Sequence, residues 1–341
     1  SQIAAIAPYV ASQNDDVASA AIAAASKIGG EQALAALINR MTKGEENEVV
    51  DAALIKGFLS FNGSINDEFA RVMDVNAHAR KISKAVLTKR RIADSASKIL
   101  VWVDNGGDDS AIPALTTNAV EKNFDKYCNL FEQGRDVSKA IIKAIQNKPA
   151  AEQAKMIQGR MDKAGAKKHL YYPVLAATGA KEAVAPIVEG YKSSTGEAQK
   201  SAFEGLCALN DASVLPTLLE ATANAELKDK AIARYIELTG ASTLNNDQKY
   251  MNYRKALETN PALKYKNQAL KALSATQNYQ AMMLAAEYMD NAETAQAAAN
   301  TVLEIATKHP EFYSAEVKAL LEKVAATVND GDAVYKRKDI E

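Results

Sequence analysis

The stretch Ala208-Leu209-Asn210-Asp211-Ala212-Ser213-Val214-Leu215-Pro216-Thr217-Leu218 decides the fold. An apolar helical run ends at Leu209, Asn210 and Asp211 tolerate the chain reversal, and Pro216 stands just inside a second apolar run. There the missing proline N–H costs nothing, because the first N–H groups of a helix have no intrahelical acceptor, and the fixed φ suits the first turn. The stretch reads as helix, tight turn, helix. The same grammar recurs outward from it. Ala177-Thr178-Gly179 precedes Val184-Ala185-Pro186-Ile187-Val188, and Val103-Asp104-Asn105 precedes Ala111-Ile112-Pro113-Ala114-Leu115. Asn14-Asp15-Asp16-Val17 opens an alanine-rich run that closes at Lys27-Ile28-Gly29-Gly30, followed by Ala33-Leu34-Ala35-Ala36-Leu37.

Apolar residues at i, i+3, i+4 and i+7 extend this pattern from end to end, and alternating β-branched runs are nearly absent, so the chain is expected to be all-α. Residues 64–105 and 262–309 hold no Gly or Pro, yet each is too long for one ordinary helix. Each is predicted to hold several helices joined by turns such as Asp290-Asn291. Taking the last apolar or Thr position of each first helix gives the markers Ile28, Phe61, Val103, Ile145, Thr178, Leu209, Thr239, Thr276 and Thr307. Their spacing fits about nine helical hairpins of uneven length. One alanine-rich hairpin buries too little, at roughly 25 cal/mol per Å², to offset about 1–2 kcal/mol of backbone entropy per residue. Neighbouring hairpins are therefore expected to share a core, with Leu34 and Leu218 facing inward and small residues such as Ala20, Ala21, Ala24, Ala297 and Ala298 allowing close helix approach.

In residues 14–41, 174–191 and 205–222 these features resemble HEAT repeats, units of two helices with a Gly, Asp or Asn turn and an apolar-Pro-x-apolar opening to the second helix. The resemblance implies an α-solenoid, a right-handed superhelix of stacked hairpins over 1–328, with the polar segment 329–341 as a C-terminal cap or linker. At the other end Ile3, Ile6 and Tyr9 suggest half a hairpin, or a surface that continued into further chain. Val17 is followed by Ala18 where the family usually carries Arg, so its Asp and Arg ladder between repeats is not expected.

Composition narrows the function. With 341 residues, 48% apolar and 24% charged, the chain is too apolar for disorder and has too little Gly and Pro for a low-complexity segment. The formal net charge of −1 provides no global field toward nucleic acid or an anionic membrane, and no apolar run approaches the roughly 20 residues of a membrane span. Cys128 and Cys207 lie apart in helical contexts without a CxxC partner and read as buried free thiols. His78, His169 and His309 stand alone, and none is followed by Glu, which excludes the repeated His-Glu pairs of HEAT-like diiron hydroxylases. HExxH, P-loop, GxSxG and GxGxxG motifs are absent, and Asp104-Asn105-Gly106-Gly107-Asp108-Asp109 lacks EF-hand spacing, so it reads as a solvated turn. No catalytic residue, cofactor or metal site is assigned.

Two features offer an interaction surface. Between Ala77 and Lys98 there are seven cations and one acid; on a continuous helix Arg80, Lys84, Arg91 and Lys98 would fall within about 40° of one another, opposite an apolar face. Lys89 would land in the apolar sector, so the helix must break near Thr88 or let that side chain snorkel. Tyrosine is concentrated from Tyr171 onward. Tyr171, Tyr172 and Tyr191, then Tyr250, Tyr253, Tyr265, Tyr279 and Tyr288, are candidates to line a peptide or sugar groove, or else fill half-buried repeat positions, while Trp102 reads as core.

The expectation is a non-enzymatic scaffold that binds a protein partner or positions an adjoining domain. Similar Ala-, Lys- and Asn-rich helical regions occur in large bacterial extracytoplasmic proteins beside a β-rich, carbohydrate-handling domain, and the start without Met accords with excision from a longer product. Nucleic-acid binding through the 77–98 stripe, as in HEAT-like DNA glycosylases, is the alternative, with near-zero net charge against it. A likeness to HEAT-like phycobilin lyases would imply an enzyme, but no residue takes a role in it.

Overall fold

The structure, a computed structural model, describes residues 2–328, and all regular elements among the described residues are helical. The segment 329–341 assigned to a cap or linker lies outside the described residues. The chain divides into two compact units, Ser1–Lys168 and His169–Glu341.

Unit one contains α1 (Gln2–Ile6), α2 (Asp15–Ile28), α3 (Glu31–Lys43), α4 (Glu48–Leu59), α5 (Asn66–Val72), α6 (Ala77–Lys89), α7 (Ala96–Asp104), α8 (Ile112–Thr117), α9 (Phe124–Glu132), α10 (Ser138–Ile145) and α11 (Ala150–Ala164). Unit two contains α12 (Tyr172–Ala176), α13 (Val184–Ser193), α14 (Gly196–Ala208), α15 (Leu215–Ala221), α16 (Lys228–Ala241), α17 (Asn246–Glu258), α18 (Leu263–Leu273), α19 (Tyr279–Ala286), α20 (Ala295–Lys308) and α21 (Ala315–Thr327). The two long stretches without Gly or Pro divide as predicted, into α5–α7 and α18–α20.

Asparagine starts many of these helices. Asn14, Asn47, Asn76 and Asn278 each accept from a backbone N–H of the following first turn, and Asn245 forms a reciprocal capping box with Gln248. Pro113, Pro173 and Pro216 open α8, α12 and α15. Before α8, α13 and α15 the chain makes one tight 3₁₀ turn, Asp109–Ala111, Lys181–Ala183 and Ala212–Val214. The markers Ile28 and Ile145 are final residues of α2 and α10, and Leu209 follows α14 directly.

Packing runs between helices close in sequence. In unit one α2 packs on α4, α4 on α6, α6 on α8 and α8 on α10. In unit two α12 and α13 pack on α14, α16 on α18, and α18 and α19 on α20. Small residues permit the close approach, though not all those expected: Ala21 is buried with Ala18 and Ala25 of α2, whereas Ala20 is exposed and Ala24 half-buried. Larger side chains such as Leu37, Leu54, Phe58, Ile82 and Val86 fill the space between helices. Leu34 and Leu218 are both buried, as their place in the pattern predicts.

Polar side chains fasten the same neighbours. Asn62 Nδ2 donates to the Lys27 carbonyl 35 positions back, Asn76 Nδ2 to that of Thr42 34 back, and Asn118 Nδ2 to that of Leu87 31 back. In unit two Ser201 Oγ donates to the His169 carbonyl over 32 positions and Thr301 Oγ1 to the Leu270 carbonyl over 31. These links reach carbonyls near helix ends, groups that short amide and hydroxyl side chains are suited to bind.

Candidate functional site

The basic stretch 77–98 is not one helix. α6 ends at Lys89, Arg90 is extended, and α7 begins only at Ala96, so Lys89 projects as an exposed residue and does not enter the apolar sector. The break is held by Asn118, whose Oδ1 accepts from the Ile92 N–H at 2.5 Å while Nδ2 donates to the Leu87 and Ala114 carbonyls.

Most of the charges are spent within the unit. Arg80 pairs with Asp74 at 2.6 Å and lies over the Trp102 ring, 5.8 Å from its centroid. Lys84 donates to Asp108 and Ser110, and Lys98 Nζ donates to the carbonyls of Ala70 and Arg71. Arg90 donates to the carbonyls of Phe58 and Gly63, and Lys81 pairs with Asp51 and Glu46. Of the four stripe residues only Arg91 is exposed without a partner among the described residues.

Lys84 also explains the acidic turn. Asp108 binds Ser110 and Lys84, whose hydrogen bonds hold its carboxyl below the usual carboxylate range, and Asp109 pairs with Arg135 at 2.7 Å. The turn is an ion-paired brace between α6 and the start of α8. Among the described residues no three His, Cys, Asp or Glu side chains gather as metal ligands. The most buried ionic group is Asp51 on α4, whose Oδ1 lies 2.8 Å from His78 Nε2 on α6 while its Oδ2 meets Lys81.

Four of the five tyrosines proposed first for an interaction surface belong to the core. Tyr171, Tyr172, Tyr191 and Tyr253 are all buried. Tyr172 is seated against Gly190, where a Cβ would come within 2.4 Å of its hydroxyl oxygen. Tyr191 tilts against Phe203 at 6.2 Å. The rings are large apolar bodies that fill the space left by alanine-rich helices, and burial pushes the Tyr253 hydroxyl above its ordinary range. Trp102 is buried, as predicted. Cys128 is buried too, but Cys207 is only half-buried; burial still pushes its thiol up to about 11.

Tyr250 is different. It is half-buried and, with Tyr279 and Tyr288, lines a cleft of about 310 Å³ between α17 and α19. Arg254, Glu258 and Glu287 complete its polar wall, and Arg254 Nε donates to Glu258 Oε1 at 2.9 Å. Tyr279 is fixed from behind: its hydroxyl donates to Glu316 Oε2 at 3.3 Å, and its ring meets Phe312 edge-on at 5.6 Å. Glu287 is exposed and makes no hydrogen bond or ion pair among the described residues. The Tyr288 hydroxyl is held above its usual range by burial and then by the nearby carboxylates of Glu287 and Glu258. On the other flank of α17, a second cleft of about 470 Å³ is walled by Leu215, Pro216, Leu244 and Met251.

Arg254, Glu258 and Glu287 were not singled out from sequence. The signal available was the i, i+4, i+8 series Tyr250, Arg254, Glu258, which places the three on one face of α17. No helix among the described residues is long and apolar enough to cross a membrane. No protein-family model matches the chain, and no curated protein matches it.

Proposed function

We propose that the chain is a HEAT-like α-solenoid scaffold of stacked helical hairpins that binds a protein partner. The observation that carries the reading is the short sequence reach of the fastenings: Asn62, Asn76 and Asn118 in unit one, and Ser201 and Thr301 in unit two, each tie a helix to one 31 to 35 positions earlier, about one hairpin back. An array so built offers successive second helices side by side, and two clefts lie against α17 in that position. The engagement of Arg80, Lys84 and Lys98 inside unit one weighs against the nucleic-acid alternative, because phosphate binding needs free cations. The test is selection of binders from a random peptide library, with hydrogen exchange of the chain mapping where they sit. Binders that converge on α15, α17 and α19 support the reading; binders scattered over unrelated faces, or none at all, contradict it.

A further inference from the structure

The cleft between α17 and α19 has a chemical preference that its lining spells out. Three tyrosines, Tyr250, Tyr279 and Tyr288, line a volume of about 310 Å³, room for one long side chain. The lining carries two carboxylates, Glu258 and Glu287, and one cation, Arg254. Arg254 is committed to Glu258, which leaves the Glu287 carboxylate as the unmatched charge. The Tyr288 hydroxyl is raised first by burial and then, to a lesser degree, by the nearby Glu287 and Glu258 carboxylates. Behind the rings, Phe312 and Glu316 hold Tyr279, and His309 stacks on Phe312 at 4.8 Å, so that wall is formed before any ligand arrives.

We infer that this cleft seats the guanidinium of an arginine side chain from a protein partner laid across α17 and α19. The inference rests on the scaffold reading for the partner's being a protein, and it adds the residue type that anchors it. A guanidinium is the group that uses both halves of the lining. Its planar face stacks on a tyrosine ring, and its N–H fork donates to a free carboxylate, here Glu287. A neutral side chain of the same shape keeps the stacking but loses the charge.

The test uses the full chain carrying tyrosine labelled in the ring, observed by NMR during titration with the capped tripeptide Gly-Arg-Gly and with the same tripeptide bearing citrulline. The arginine peptide is expected to shift the Tyr250, Tyr279 and Tyr288 ring signals saturably, in the millimolar range usual for a single side-chain contact. Citrulline, and arginine on the Glu287→Gln variant, are each expected to bind about tenfold more weakly. Glu287 is exposed, so the variant has no burial to lose. Equal shifts from citrulline and arginine, unchanged affinity in Glu287→Gln, or N-acetylglucosamine moving these rings where the arginine peptide does not would each overturn the inference. Library peptides that converge on α15, α17 and α19 without an arginine and bind Glu287→Gln normally would overturn it while leaving the scaffold reading intact. Arginine binding at the cleft with no library binder on these helices would uphold the cleft and remove the scaffold reading.

Discussion

Replacing Asn118 with alanine tests how the helices of unit one are fastened. The side chain is fully buried and makes three hydrogen bonds: from the Ile92 N–H at 2.5 Å, to the Leu87 carbonyl at 2.7 Å and to the Ala114 carbonyl at 2.8 Å. The Ala114 carbonyl keeps a partner in the Asn118 backbone N–H, so the truncation orphans two backbone groups, Ile92 N–H and Leu87 C=O. Each buried group left unsatisfied costs about 1–3 kcal/mol. The expected loss for Asn118→Ala is therefore about 3 kcal/mol, or about 6–12 °C in the melting temperature of a unit of this size. Urea unfolding gives the free energy, and hydrogen exchange at the Ile92 amide gives the local consequence, an opening of the junction between α6 and α7. A loss below about 0.5 kcal/mol with Ile92 protection unchanged would refute the assignment of Asn118 as a fastener.

Glycines at positive φ divide by what surrounds them. A Cβ at Gly29, φ 72°, would meet the Asn62 carbonyl oxygen at 2.0 Å, whereas one at Gly179, φ 66°, meets nothing within 4 Å. Gly29→Ala is expected to cost about 3 kcal/mol and Gly179→Ala about 1 kcal/mol, and equal losses in thermal unfolding would contradict the clamp of Asn62 on the end of α2. Burial pushes the Cys207 thiol up to about 11, against the smaller opposing effect of Lys230. Its thiolate is scarce below that pH, so iodoacetamide labelling at mildly alkaline pH, read by peptide mass mapping, should run about a hundredfold slower than for a free thiol and rise steeply toward pH 11. Labelling as fast as free cysteine would place Cys207 in the open.

Helix, turn and packing face were legible because each depends on local chemistry. Within a helix Pro216 fits only the first turn, Gly29 adopts a backbone conformation that side chains resist, and the periodic apolar face put Leu34 and Leu218 inside. Longer-range chemistry was not. Asn14 caps its own helix while Asn118 reaches back to α6, yet both are asparagines beside a turn. Lys89 in the apolar sector called for a break near Thr88 or a snorkelling side chain, and the chain breaks after Lys89. What the sequence could not show is the distant Asn118 that holds the break, or that most cations from Arg80 to Lys98 are engaged within the unit. The tyrosines were ambiguous for a related reason. Tyr171 and Tyr250 have the same amphipathic side chain, and only the neighbouring helices decide that the first is core and the second lines a cleft.

The central claim is that each hairpin is held by its sequence neighbours. Leu218 lies fully buried on α15, which packs on α16, so Leu218→Asp places an unpaired charge in that interface at a cost of about 3–5 kcal/mol. Hydrogen exchange resolved along the chain measures how far the damage travels. The account predicts lost protection from α13 through α16, with α20 exchanging as in the unsubstituted chain. Uniform loss through α20 and α21, or no loss at α16, would contradict it.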